Sequence, residues 1–156
     1  MSVKEYQPDH NRQPEPTNWR VEAVPSSHFP LIQRFYQAHY KSARVKSHDL
    51  VWQLLLNNQR VAVMRLLPIG SDWLLSGLVV DSAMRRKGLA AHLLNQALTQ
   101  YSSDCYLFCD ASLTPLYRKS GFTGVNPDSL PTELRGRFHT YRRAQTSLVA
   151  MFRPTP

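Results

Sequence analysis

Three strand-sized apolar segments, Leu50–Leu56, Arg60–Leu67 and Trp73–Val80, follow one another with only turns between them. Asn57-Asn58 supplies a tight turn after the first, and Pro68–Asp72 a second turn cluster. Hairpin-linked strands pair antiparallel, so a doubly wound sheet, in which every strand alternates with a helix, is excluded. Trp73–Val80 (WLLSGLVV) is apolar almost throughout and is expected at the centre of a sheet covered on both faces. Upstream, Trp19–Val24 alternates as a strand does, and Leu31, Ile32, Phe35, Tyr36 and Tyr40 mark a helix from Phe29 to about Ser42. Downstream, Gly88 opens a helix whose buried side carries Leu89, Leu93, Ala97 and Tyr101, widened by Leu94 and Leu98. Cys105–Cys109 is a fifth strand, Leu113–Ser120 a short helix capped by Gly121, and Phe122–Val125 a further strand. A basic helix from Pro131 to about Ala144 and a last strand, Leu148–Arg153, complete the chain. The expected class is α/β (α+β): a mixed, mostly antiparallel central sheet of about seven strands flanked by helices. Residues 19–156 read as a single domain, and residues 1–18, with Pro8, Pro14 and Pro16 among polar residues, as a flexible lead-in.

Charge narrows the function. Nineteen Lys and Arg oppose eleven Asp and Glu, a formal charge of +8, which suits an anionic ligand as well as plain solubility. No apolar run approaches the ~20 residues of a membrane span, and the N-terminal stretch lacks the apolar core of a secretory signal. Cys105 and Cys109 would lie roughly 13 Å apart on an extended strand, too far for a disulfide. Their spacing is also poor for zinc, so no metal site is expected and both read as buried thiols of a cytoplasmic protein.

The chemistry concentrates between Leu78 and Ala91, where an apolar strand runs through Asp81–Lys87 (DSAMRRK) into a helix at a glycine. The first turn of a helix carries unpaired N–H groups and the positive end of the dipole, so it receives a phosphate without any particular side chain. Gly88 lacks a Cβ that would keep a bulky anion off the backbone, and Arg85, Arg86 and Lys87 add positive potential. GxxxxGK[ST] is absent, and none of the six glycines lies two residues from another, which removes the P-loop and the dinucleotide fingerprint. What remains is Arg-x-x-Gly-x-Ala at Arg85, Gly88 and Ala90. It resembles the pyrophosphate loop, [Gln/Arg]-x-x-Gly-x-[Gly/Ala], of the GNAT N-acetyltransferase superfamily. Leu116–Phe122 (LYRKSGF) is similar to the same superfamily's Leu-Tyr-x-[Lys/Arg]-x-Gly-Phe segment, one helix and one strand downstream. The likeness is good over Trp73–Val125 and looser back to Trp19.

The resemblance implies the acyl-CoA N-acyltransferase (GNAT) fold and direct transfer of an acetyl group from acetyl-CoA to a primary amine. It implies that the amides of Arg86, Lys87, Gly88, Leu89, Ala90 and Ala91 hold the pyrophosphate. Leu78, Val79 and Val80 pair through their backbone with the pantetheine arm, one amide of that strand facing the thioester oxygen, and Arg85 orders the loop. Tyr117 matches the tyrosine that protonates the departing thiolate. Asp110 stands where the family often has an Asn that contacts the cofactor arm; it either receives an amide bond from the arm or caps the Leu113 helix. Cys105 falls where some relatives carry a glutamate base and is a poor substitute. Asp81, Glu22, His39, His48 and a water chain are the alternatives. The acceptor, a small-molecule or peptide amine, is expected between Phe29–His48 and Asn126–Ala144. The basic run Arg135–Arg143 (RGRFHTYRR) is a solvated face, a contact for the adenosine 3′-phosphate or an acidic acceptor, or a nucleic-acid surface. No nucleic-acid motif accompanies it, so nucleic acid is not an expected partner. The competing reading is a non-catalytic module of the same fold that binds nucleic acid or a protein through its basic surface. A homodimer is an allowed assembly that nothing in the chain selects.

Overall fold

The computed structural model describes residues 18–156; the lead-in expected over residues 1–18 lies, but for Asn18, outside the described residues. Among the described residues seven strands form one sheet: β1 (Trp19–Ala23), β2 (Leu50–Leu56), β3 (Gln59–Ile69), β4 (Asp72–Val80), β5 (Cys105–Asp110), β6 (Thr123–Val125) and β7 (Leu148–Arg153). Four helices flank it: α1 (Phe29–His39), α2 (Leu89–Gln100), α3 (Thr114–Arg118) and α4 (Thr132–Ala144). The order across the sheet is β1-β2-β3-β4-β5-β7-β6, so β4 is central as its composition predicts. Every neighbouring pair is antiparallel except β4 and β5, which α2 connects in parallel. The expected mixed, mostly antiparallel sheet is therefore the observed one. No helix among the described residues is long and apolar enough to cross a membrane.

Each face of the sheet has its own cover. Leu89, Leu93, Leu94, Ala97 and Leu98 of α2 and Tyr117 of α3 pack on Leu75, Leu107 and Cys109. On the opposite face, Ile32, Phe35 and Tyr36 of α1 pack on Val51 and Val63, and Leu134 and Phe138 of α4 on Leu74, Leu148 and Ala150. Cys105 and Cys109 are both free and buried.

Some boundaries differ from the sequence expectation for identifiable reasons. α1 stops at His39, because Tyr40 takes an extended φ of −155°. β3 runs through Pro68 to Ile69, leaving Gly70-Ser71 as the turn. Pro68 is tolerated because β2 pairing has already ended at Leu50 opposite Leu66, so no ladder needs its missing N–H. The helix expected over Leu113–Ser120 divides into a 3-10 turn, Ala111–Leu113, and the short α3, with Pro115 in its first turn.

One irregularity shapes the centre. Val63 pairs with Val79, but Arg65 pairs with Ser76, so Gly77 and Leu78 together face the single residue Met64. This is a β-bulge, and Gly77 holds its left-handed φ of 64°. A Cβ at Gly77 would lie 2.6 Å from the Tyr36 hydroxyl, which donates a hydrogen bond to the Gly77 carbonyl at 2.8 Å. The bulge turns the rest of β4 out of register with β5. The two strands pair only at Leu74 with Tyr106 and Leu75 with Leu107, and beyond that point they part.

Candidate active site

The parting of β4 from β5 opens a groove that two adjoining cavities fill. The first, of about 490 Å³, lies against Leu78–Val80 and the loop leading into α2. Within the loop Arg86 (φ 64°) and Gly88 (φ 74°) both take left-handed conformations, which fold successive amides toward a common concavity. Arg86 bears a side chain in that region, an uncommon arrangement held where function or packing requires it. No side-chain oxygen caps α2 at Gly88. The first helical amide to find a backbone acceptor is that of His92, donating to Gly88 O at 3.1 Å, so those of Leu89, Ala90 and Ala91 precede the first closed turn. A Cβ built on Gly88 would meet nothing within 4 Å. Asp81, which precedes the loop, accepts from the Ala83 amide at 2.9 Å, and its own amide donates to Val61 O at 2.8 Å.

Most of the residues singled out for this loop line that cavity: Leu78, Val79, Val80, Arg85, Arg86, Gly88, Leu89 and Ala90. Lys87 and Ala91 do not; the Lys87 ammonium lies 3.9 Å from Met84 Sδ. Arg85 turns back, its Nε reaching Val80 O at 3.5 Å, a placement that suits ordering the loop.

The second cavity, about 230 Å³, continues from the first through Leu78 and Leu113, which line both. It runs between Ser76–Leu78 of β4 and Phe108–Asp110 of β5 and reaches Tyr117. Tyr117 is 7% exposed, its ring set edge-on to Phe122 at 6.0 Å. Burial, with the neighbouring Cys109 and Tyr40 acting in the same direction, pushes its phenol up to about 12, so the proton is retained throughout the physiological range. Burial likewise raises Cys105 to about 12 and Cys109 to about 11, which keeps both thiols neutral and poor as nucleophiles.

Asp110 lines the second cavity, yet its carboxylate is already engaged. It accepts from the Ser112 amide at 2.9 Å and hydroxyl at 2.7 Å, and from the Ser147 hydroxyl. Those bonds, the one from Ser147 foremost, hold it down at about 2. This is the capping geometry, tying the 3-10 turn before α3 to the start of β7. The alternative acids and bases are placed elsewhere. Glu22 is bound to Arg20 (3.0 Å) and Gln53 (2.9 Å) near the sheet edge, and His48 borders a different cavity, against β2 and Tyr101. His39 Nε2 lies 3.9 Å from Asp81 Oδ2, and neither residue lines the groove.

Three residues to which sequence reasoning gave no part in the site complete the architecture. Gly77 makes the bulge, Tyr36 fixes it, and Arg65 stacks over the Tyr36 ring at 5.3 Å. An isolated glycine inside an apolar strand is a readable sign of a bulge, and a lone arginine inside another is a readable oddity.

In sequence, residues 9–122 match the Acetyltransferase (GNAT) family. The chain belongs to the GNAT family. No curated protein matches it in sequence, but many solved structures share its fold. N-acetylglutamate synthase from Neisseria gonorrhoeae, complexed with coenzyme A and N-acetyl-glutamate, superposes with a TM-score of 0.66 at 15% identity, over 91% of this chain and 36% of the synthase. The GNAT chain thus spans about a third of the length of that enzyme. A Mycobacterium tuberculosis protein in complex with CoA and NLQ gives 0.64 at 15% identity, over 88% and 99% of the two chains. The ribosomal-protein-S18-alanine N-acetyltransferase of Escherichia coli gives 0.59 at 16% identity, over 88% and 94%.

Proposed function

We propose that this protein transfers the acetyl group of acetyl-CoA directly to a primary amine of a small-molecule or peptide acceptor. The observation that carries the reading is the continuous groove from Arg86, Gly88, Leu89 and Ala90, along β4, to Tyr117. Family membership and neighbours solved with coenzyme A support it, as do N-acetyl-glutamate in the gonococcal synthase and the alanine of ribosomal protein S18 named for the Escherichia coli enzyme.

The residues present fit coenzyme A. The uncapped amides of 86–91 answer a diphosphate, the open side of Gly88 gives it room, and the unpaired edge of Leu78–Val80 offers backbone partners to an amide-bearing arm. When bound, acetyl-CoA supplies the activated acyl group as a thioester. Arg85 orders the loop and Asp110 fixes the turn before α3, leaving an amide bond to the arm as its second assignment. Tyr117 Oη holds a proton at the end of the groove where the sulfur is released, and at about 12 it acts as a hydrogen-bond donor that gives up the proton only as negative charge develops there. Neutral Cys105 and Cys109 supply no nucleophile, in keeping with direct transfer. Among the described residues the only carboxylate at the second cavity is Asp110, already occupied, so the ammonium of the acceptor loses its proton to water.

Thermal denaturation with acetyl-CoA at about 100 times its Kd should raise Tm by about 5–10 °C. An amine panel should then release free thiol above the rate of hydrolysis. An unchanged Tm together with no thiol release would end the assignment.

A further inference from the structure

A third cavity, about 610 Å³, lies on the face of the sheet that carries α1 and α4, and it adjoins the Tyr117 cavity through Tyr40, Leu75, Ser76, Phe108, Gln145 and Leu148. An incoming amine has to reach the groove through a space of this kind, and the volume is within the range of about 300–1,000 Å³ usual for small-molecule sites. Its charged lining is one-sided. Among the described residues Arg44, Lys46, Arg65 and Arg137 border it, and no Asp or Glu does.

Arg65 is the informative member. Its side chain is only 7% exposed, on the β3 position paired with Ser76. Nη1 is satisfied by Asp49 Oδ2 at 3.1 Å and by the Arg44 carbonyl. Among the described residues Nε has no hydrogen-bond partner and is buried against Gly77 and Tyr36. The buried guanidinium borders the cavity with one carboxylate as its ion-pair partner, so an anion seated there would offset its desolvation. Asp49 is itself buried behind the cavity wall, so four cations face one acid. Of the ion pairs among the described residues, none includes Arg44, Lys46 or Arg137.

Such a cavity repels a plain alkylammonium ion or a polyamine. It accepts an amine that carries its own negative charge, and its field favours the neutral, nucleophilic form of the amine once seated. We propose that the acceptor is a small amino acid, whose carboxylate is held by Arg65 with Arg137 and Lys46 while its amine turns toward Ser76 and the Tyr117 groove. This rests on the acyl-transfer reading and names the substrate class for that same site.

Each amino acid is assayed for thiol release beside the amine left when its carboxylate is removed, for example phenylalanine with phenethylamine and leucine with 3-methylbutylamine. Independently of turnover, calorimetry compares binding of the matching N-acetylamino acids and N-acetylamines to the CoA-loaded protein. The carboxylate-bearing members should be favoured by about 100-fold in kcat/KM and in Kd, the effect of one or two charge-assisted hydrogen bonds. Arg137→Gln and, separately, the exposed Lys46→Gln should raise KM about tenfold with kcat nearly unchanged; neither removes a buried ion pair, so both should fold. Neutral amines reacting and binding as well as their amino acids would overturn the inference and leave acyl transfer standing. CoA binding with thiol release from neither set would overturn the acyl-transfer reading, and this inference with it.

Discussion

The loop at Arg86–Ala91 and the cavity between the α1–β2 connection and α4 both present donors or positive charge, and they are built from different materials. The loop relies on main chain: left-handed φ at Arg86 and Gly88, an uncapped helix and amides before the first closed turn. The cavity relies on side chains from distant parts of the sequence, Arg44 and Lys46 before β2, Arg65 on β3 and Arg137 on α4. Backbone geometry demands particular residues at fixed spacing, so the loop leaves a motif. Side-chain chemistry can be supplied from any element that reaches the space, so the cavity leaves none, and the same scaffold can serve different acceptors.

The contrast can be broken most severely at Gly88. Gly88→Val places a branched side chain at φ 74° in the mouth of the cradle, in the open space beside the first amides of α2. Calorimetry should show coenzyme A binding weakened on the order of 10³-fold, while preference among acceptors stays as it was. Retained affinity would mean that the loop is not the diphosphate site. Tyr117→Phe comes next. It should lower kcat by about 100-fold and leave the Kd for coenzyme A within a factor of about two. A parallel loss of both would make Tyr117 part of the binding surface. The mildest test is pH. Among the described residues no free carboxylate or imidazole lines the second cavity, so kcat/KM should rise up to about tenfold per pH unit below the amine's own pKa. Because the phenol is raised to about 12, its acid form persists well above that range, and no alkaline fall should appear by pH 10. A rise complete near pH 6.5 would reveal a histidine base, with His39 the first to replace.

The sheet and its order were legible because hydrophobic alternation and turn residues act locally: Trp73–Val80 reads as central and proves so. The helix start at Gly88 and the short helix carrying Tyr117 were legible because each sits in a short motif. The Tyr36–Gly77–Arg65 contact was not. It joins α1, β4 and β3 through tertiary packing, and nothing near any one of these residues in sequence refers to the other two. Asp110 was ambiguous for a similar reason. Two of its donors come from nearby Ser112, but the third is Ser147, at the far end of the chain.

The two rungs between β4 and β5 have a mechanical corollary. Among the described residues the sheet is two leaves, β1–β4 and β5–β7–β6, joined by a ladder of four residues: Leu74, Leu75, Tyr106 and Leu107. Lys46 and Arg65 ride on the first leaf, and α4 with Arg137 packs largely on the second. The spacing of the cations at the rim is therefore set across that seam, where two rungs and the shared core beneath α2 hold the leaves together.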